Sequence, residues 1–375
     1  VASLRLMTLT CKYGYTPSTP TIFARYGALE AVMGNLKGAR RFFSITNRLI
    51  DESRSKEATC RALLVSHGLL SHWYEPYSHI VDGLQQSYVV GMECGVYDHA
   101  LNAASHYMTL AMYSTMGLVQ IENSLRVYCQ QMRDFNVESV LPFTLPMWQA
   151  VLNLLGEADD PTILSGEAMV LEEFEIEPNN LVVRVVLLIF QVLLTLQFRD
   201  WKALQEKHYD SFVRLREKAV RGHVSNFATS FLEGYVSFLL FEQTRNTRYL
   251  RFAKRITRRI QGWAKAGVVN CAPTATFLKA ECIVARDKKA LRKTEVMNLY
   301  REALVQAKDL NILQYKGLFA ERCSDVLGTV YHDEEQSRTY LCESIDRYEE
   351  WQAYAKVKFL GELHLSPCGK KNDAQ

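Results

Sequence analysis

Apolar residues recur every three or four positions along nearly all of this 375-residue chain, and alternation with a period of two is almost absent. That spacing gathers the apolar side chains on one stripe of a helix, whereas a half-buried strand would alternate. The closing stretch, YEEWQAYAKVKFLGEL at 348–363, shows the rule together with the residues before it. Leu341, Ile345, Tyr348, Ala355 and Phe359 fall on one stripe beside Trp351, and Asp346, Arg347, Glu349 and Glu350 take the other side. A single helix is expected from Glu334 to Leu363, about 45 Å long at 1.5 Å per residue. Breaks are marked by short turn signals: TPSTPT (16–21), EPYS (75–78), LPFTLP (141–146), IEPNN (176–180) and CAPT (271–274). In the first of these Thr19 is expected to cap a helix that carries Pro20 in its first turn, where a missing N–H costs nothing. About fourteen helices are expected between such signals.

One interruption is longer. GEADDPTILSGEAMVLEEFEIEPNN (156–180) holds eight acidic residues and no basic one. It is expected to be an irregular, solvated connection separating N-terminal helical repeats (1–155) from C-terminal ones (181–365), with 366–375 a disordered tail. The most apolar stretch, LVVRVVLLIFQVLLTLQF (181–198), contains Arg184 and Gln191 and is shorter than a membrane span needs, so a buried central helix is expected there.

Internal repetition is weak but present. GVYDHALNAA (95–104) has a turn residue, an aromatic two positions on and a small residue three further, as Gly95, Tyr97 and Ala100. Gly34, Leu36 and Ala39 fit loosely; Trp201 fits in RDWKALQEKH, with Leu204 where the small residue belongs; HDEEQSRTYL repeats the spacing with Ser337. This is the spacing of tetratricopeptide (TPR) units, in which the small residue lets paired helices approach and the aromatic fills the gap to the next pair. The expected fold class is therefore all-α, with TPR-like helix-pair repeats in a right-handed superhelix.

Composition adjusts this picture only slightly. A 48% hydrophobic content with 9 prolines and 19 glycines suits a helical globular protein and disfavours disorder or an all-β fold. The formal net charge of +3 does not by itself indicate a nucleic-acid binder. The nine cysteines, at 11, 60, 94, 129, 271, 282, 323, 342 and 368, form no C-x-x-C and lie mostly in apolar helical patterns, as expected of reduced thiols in a cytoplasmic protein. The chain opens on Val1 without the pattern of a signal peptide and is expected to be a piece of something longer.

Candidate chemistry is sparse. G-x-x-x-x-G-K-[ST], G-x-G-x-x-G, H-E-x-x-H and G-x-S-x-G are all absent, so no catalytic residue, cofactor or metal is expected. His67, His72 and His79, and His99 with His106, lack the four-residue spacing that puts two imidazoles on one ion. Carboxylate pairs such as Glu172–Glu173 and Asp159–Asp160 lie in the acidic connection, where solvation keeps them ordinary. The sharpest charge feature is RNTRYLRFAKRITRRIQGWAKAG (245–267), where Arg248, Arg251, Arg255, Arg258 and Arg259 share a helix face opposite Leu250, Phe252, Ile256, Ile260 and Trp263. Such a face is solvated, pairs with acidic neighbours such as the 156–180 connection, or grips a protein partner or nucleic acid.

Three motifs, in order, carry a resemblance. WQAVLNLLGEADDPTILSGE (148–167) has a Gln, then Asn-Leu, then a turn close to Pro-Leu-x-Gly-Glu. FLKAECIVARDKKALRKTEVMNLYREALVQAKDLN (277–311) places Ala280, Glu281, Tyr300, Ala303 and Ala307 in an Ala-Glu, then Leu-Tyr-x-x-Ala-Leu/Ile-x-x-Ala helix pair. Tyr348, Trp351, Ala353, Ala355, Lys356 and Val357 match a closing Tyr-x-x-Trp-Gly-Ala-x-Ala-Lys-Val, with Gln352 in place of the glycine. Together, across roughly 20–363, they resemble the helical region behind the ATPase module of large hybrid signalling proteins. Those proteins join a serine/threonine-kinase-like domain, an AAA-type predicted ATPase of the STAND class, a TPR-like superhelix, a GAF sensor and a histidine kinase. The resemblance implies a non-catalytic interaction and regulatory module coupling the ATPase to the sensor or kinase, with a protein or peptide as partner, including other domains of the same polypeptide. Gln352 is the departure: it suits a helix interior better than glycine and puts close packing against that backbone in question. The alternatives are a helical enzyme with an unrecognised pocket and an RNA-binding helical-repeat protein.

Overall fold

The computed structural model describes residues 2–114, 116–177, 179–287 and 290–365; the tail expected to be disordered, with Cys368, lies outside them. Among the described residues there are seventeen helices and no strand. They are α1 (Ala2–Tyr13), α2 (Thr19–Val32), α3 (Leu36–Asp51), α4 (Lys56–Leu69), α5 (Tyr77–Glu93), α6 (Tyr97–Ala111), α7 (Leu118–Asp134), α8 (Leu141–Leu155) and α9 (Leu181–Gln197). Then follow α10 (201–220, with a π turn at Leu204–His208), α11 (Asn226–Thr244), α12 (Thr247–Lys265), α13 (Ala272–Val284), α14 (Lys293–Asp309), α15 (Leu313–Thr329), α16 (Glu334–Glu350) and α17 (Tyr354–Leu365). Each packs chiefly on its sequence neighbours, most closely in the pairs α2–α3, α5–α6, α11–α12, α13–α14 and α15–α16. Among the described residues no helix is long and apolar enough to cross a membrane.

The helices outnumber the turn signals because many turns use a residue that sends none. Helix ends close on a left-handed residue that frees the last carbonyls to be satisfied. Gly34, Gly95, Gly156 and Gly267 do this, but so do Asn136, Arg199, Arg245, Asn311, His332 and Gln352. Proline clusters mark starts rather than stops: LPFTLP opens α8, with prolines in its first turns, and Pro76 precedes α5. At the start of α2 the cap position belongs to Ser18, and the Thr19 hydroxyl instead accepts from the Thr16 N–H at 2.8 Å. The turn residues 267 and 311, and 311 and 352, each bracket one of these close pairs, whereas those at 95 and 245 fall inside the pairs α5–α6 and α11–α12. A pair therefore occupies roughly 40 residues or a little more, against 34 in a TPR unit.

The expected 45 Å terminal helix is two helices. Glu350 ends α16, Gln352 takes φ +67°, and α17 starts at Tyr354 in a new direction. The break lets Trp351 turn fully inward, its carbonyl accepting from the Leu118 N–H at 3.0 Å while Gln352 Oε1 accepts from the Val119 N–H at 3.1 Å. The unsatisfied N–H groups that begin α7 are thereby capped from a segment more than 230 residues away in sequence.

That contact ends a longer seam. Val224 N–H donates to Gly68 O at 3.0 Å, Asn270 Nδ2 to His72 O at 3.1 Å and Glu75 O at 2.7 Å, and Tyr77 N–H to Asn270 Oδ1 at 3.1 Å. Leu313 N–H donates to Ser114 O at 3.4 Å. The partners advance in the same direction on both sides, so helix ends of the first half lie along those of the second. Both hydrophobic cores cross the seam: one joins Ala28–Trp73 to residues from Val185 to Leu327, the other joins Tyr77–Ala168 to Tyr348, Trp351 and Leu360.

The acidic connection is irregular, as its sequence implies, but it is not merely solvated. Leu164, Ala168 and Met169 are buried. Two buried polar residues of α8 hold it down, Gln149 Oε1 accepting from the Ala168 N–H at 3.0 Å and Asn153 Nδ2 donating to the Ile163 carbonyl at 2.6 Å. α9 buries its C-terminal half, while Val182 and Arg184 near its start remain exposed.

The left-handed turn at Gln352 predicts an order of stabilities. Gln352→Ala keeps the unfavourable φ and loses the bond to Val119; Gln352→Gly loses the bond but relieves the φ. Urea unfolding should find the glycine variant about 1 kcal/mol more stable than the alanine variant; equal stabilities would show that the turn carries no strain.

Candidate functional site

The arginine-rich α12 buries Tyr249, Ala253, Ile256, Thr257 and Ile260, which leaves its basic stripe at the surface. The five arginines then divide. Arg248 Nη2 lies 3.3 Å from Asp210 and its guanidinium stacks on Tyr249 at 4.6 Å. Arg259 turns inward, 3.3 Å from Glu217 and 3.4 Å from Glu233, above the Trp263 ring. Arg251, Arg255 and Arg258 stay exposed, and among the described residues no carboxylate reaches ion-pair distance of them. Arg255 lies over Phe252 at 4.6 Å. The acidic partners of this helix thus come from α10 and α11, and the 156–180 connection pairs elsewhere, Glu167 with Arg126 of α7.

The exposed row runs to a recess of about 380 Å³ between α2, α10, α11 and α12. Trp73 and Trp263 wall it edge to face, 5.9 Å apart. Three guanidinium groups, Arg216, Arg221 and Arg259, meet two carboxylates, Glu217 and Glu233. Arg216 and Glu233 are a fully buried pair at 2.8 Å. Burial pushes the Glu233 carboxyl up against the pull of Arg216, and burial together with Arg216 lowers the Arg259 pKa. The Nε atoms of Arg216 and Arg259 and the Trp73 Nε1 have no hydrogen-bond partner among the described residues. The recess is therefore short of negative charge, the condition in which a guanidinium takes up a carboxylate.

The signature residues occupy structural positions. Gly95 takes φ +76° at the turn into α6, Tyr97 stacks on Phe135 at 4.2 Å, and Ala100 is fully buried where α6 crosses Gly91 of α5. A Cβ at Gly91 would meet that of Ala100 at 2.8 Å, so the close approach needs both small residues. Ala303 is fully buried on α14. Tyr300, Tyr348 and Lys356 hold buried carboxylates: Tyr300 donates to Glu281, which also pairs with Arg322 at 3.0 Å. Tyr348 Oη donates to Glu321 at 2.8 Å, Lys356 Nζ lies 2.7 Å from the same carboxylate, and Arg199 reaches it at 2.8 Å and Asp325 at 2.9 Å. Lys356 also donates to the Gln197 carbonyl at the end of α9. Burial alone would push the Glu321 carboxyl up, but Lys356 and Arg199 hold it down at about 2, while burial lowers Lys356 and raises Asp325.

Of the histidines, His67 and His72 are enclosed by protein, and burial lowers them to about 4 and about 3. His106 lies beside His223, 117 positions on, which the spacing of histidines along the chain does not suggest. No protein-family model matches this sequence, and no curated protein matches it.

Glu321→Gln would leave Lys356 and Arg199 with less than their full countercharge inside the fold and should cost about 3–5 kcal/mol at neutral pH. A carboxyl lowered on folding contributes stability above its unfolded value, and that contribution disappears as pH falls through the folded one. The gap between parent and variant, measured by denaturant unfolding, should therefore close between the ordinary 4.5 and about 2. An unchanged gap across that window would assign the stabilisation to another group.

Proposed function

We propose that this chain is a non-catalytic interaction module whose helix pairs wind as a TPR-like right-handed superhelix. Its docking surface is the exposed row Arg251, Arg255 and Arg258 together with the adjoining arginine–tryptophan recess, and its partner is an acidic segment of a protein. One observation carries the reading: a row of uncompensated guanidinium groups leads into a recess where three guanidinium groups share two carboxylates. Phe252 beneath Arg255 and Trp263 beneath Arg259 hold those cations flat, which limits the side-chain entropy lost on binding. Within a hybrid signalling protein of the kind its motifs resemble, the module would couple an ATPase to a sensor or kinase, the partner segment lying in another domain of the same polypeptide.

The test is fluorescence anisotropy with a labelled oligoglutamate peptide and the full chain at low salt. At roughly 0.5 kcal/mol for each exposed charge, replacing Arg251, Arg255 and Arg258 together by Gln should weaken binding about tenfold. Binding should also weaken as salt screens the charges. Unchanged affinity in the triple variant would overturn the surface assignment. Tighter binding of a single-stranded RNA, lost in the same variant, would transfer the row to nucleic acid, and ATP turnover by the purified chain would overturn the non-catalytic reading.

A further inference from the structure

Between α6, α8, α9, α10 and α11 lies a cavity of about 230 Å³ that shares no residue with the arginine recess. Its walls are chiefly apolar, with Met112, Phe143, Val186, Ile189, Phe190 and Val220. Into this lining come two imidazoles, His106 and His223, with ring centroids 4.7 Å apart.

Their hydrogen bonds fix the tautomers. His106 Nδ1 lies 2.8 Å from the Asn102 carbonyl oxygen, which can only accept, so Nδ1 carries the proton and Nε2 is a bare acceptor. His223 Nδ1 faces the Ser225 backbone N–H at 3.2 Å, which can only donate, so Nδ1 accepts and Nε2 carries the proton. The Ser225 hydroxyl, 2.8 Å from the same Nδ1, donates as well. Neither Nε2 makes a hydrogen bond to a described residue. The His106 ring packs closely on Gly68, where a Cβ would stand 2.9 Å from the ring carbon Cδ2 and 3.3 Å from Nε2, so that only a glycine admits the ring in this position. The pair therefore offers one donor and one acceptor, side by side, in an apolar setting. Burial lowers both imidazole pKa values, that of His223 further because His106 and His72 lie near. With both rings neutral the lining residues carry no charge to receive an ion, and an ion without a counter-charge is costly to enclose.

We propose that this cavity binds a small, uncharged and largely apolar molecule bearing one hydroxyl, which donates to His106 Nε2 and accepts from His223 Nε2–H. A dry apolar cavity of about 150 Å³ takes up benzene, so the roughly 230 Å³ here accommodates a phenol-sized ring with room beside it. The occupant would touch helices from both sides of the seam, α6 and α8 on one and α9 to α11 on the other. It would stabilise their association by mass action, because the unfolded chain has no such site.

The test uses phenol, toluene and benzoate with the full chain, read by thermal unfolding and by imidazole ¹⁵N resonances. Phenol should raise the unfolding midpoint saturably and bind about tenfold more tightly than toluene, the worth of its hydrogen bonds. It should also move the Nε2 resonances of His106 and His223, and benzoate should do neither. Val186→Phe, which fills the space, should abolish the response to phenol and toluene alike, and His223→Phe should bring phenol down to the level of toluene. Equal affinities for phenol and toluene in the parent chain would overturn the role of the imidazoles. Benzoate binding as well as phenol, or saturation absent up to about 10 mM phenol, near the weak limit for so small a ligand, would overturn the site. The resonance measurement on the parent chain decides the matter even if neither variant folds.

Discussion

Glu321 is a carboxylate that the fold has taken out of water, and four separate parts of the chain converge to make that tolerable. Arg199 arrives from the turn after α9, Tyr348 from α16, Lys356 from α17, and Glu321 itself projects from the middle of α15. A buried charge with one partner missing is strongly destabilising, so these elements are not free to take up their places independently. Arg199 reaches the site from a left-handed turn, and Lys356 reaches it from α17, which leaves the line of α16 at the turn at Gln352. From the same turn follow the burial of Trp351 and the capping of α7. A local electrostatic requirement thus fixes a long-range contact.

This distinguishes the molecule from an array held only by nearest-neighbour packing. In such an array each helix pair meets the next and stability is a sum of local parts. Here the local pairs are present, but a second set of contacts ties helix ends of the first half to those of the second, with Asn270 serving three backbone groups and Gln352 another. Backbone groups at the seam have no helical partner of their own, so each bond across it satisfies a group that would otherwise be buried at a cost. The two halves should therefore unfold as one unit. The His106–His223 cavity is the point in the seam where side chains do not fill the space.

What the sequence makes legible and what it hides follow from distance along the chain. The apolar stripes give the helices, because a helix is decided within a dozen residues; Leu204 and Ser337 stand at helix contacts just as Ala39 and Ala100 do, Ser337 Oγ donating to the Ser324 carbonyl at 2.9 Å. Turns built on glycine are visible, whereas those at Arg199, Arg245, His332 and Gln352 are not, since such residue types seldom take the left-handed region; Arg199 and Gln352 are held there by bonds to distant helices. At 352 the motif that the closing segment resembles has glycine, the residue that takes a positive φ without strain, but the glutamine here reads as helix interior and so hides the turn. The pinning of the acidic connection depends on Gln149 and Asn153 pointing inward from α8, and the division of the α12 arginines depends on which edge meets Glu233. Neither can be read from spacing, because both are properties of the neighbouring helix.

The α12 stripe shows how a single sequence pattern serves two ends. Five arginines within one hundred degrees of helix face look equivalent in sequence, yet the edge nearest α10 and α11 is drawn into ion pairs and the opposite edge is left in solvent. Arg259 joins the two. Its guanidinium shares Glu233 with Arg216 inside the fold while its side chain lines the recess that the exposed row enters. Arg259 thus stands between the surface recess and the buried Arg216–Glu233 contact that joins α10 to α11, two of the helices that also wall the cavity at the seam.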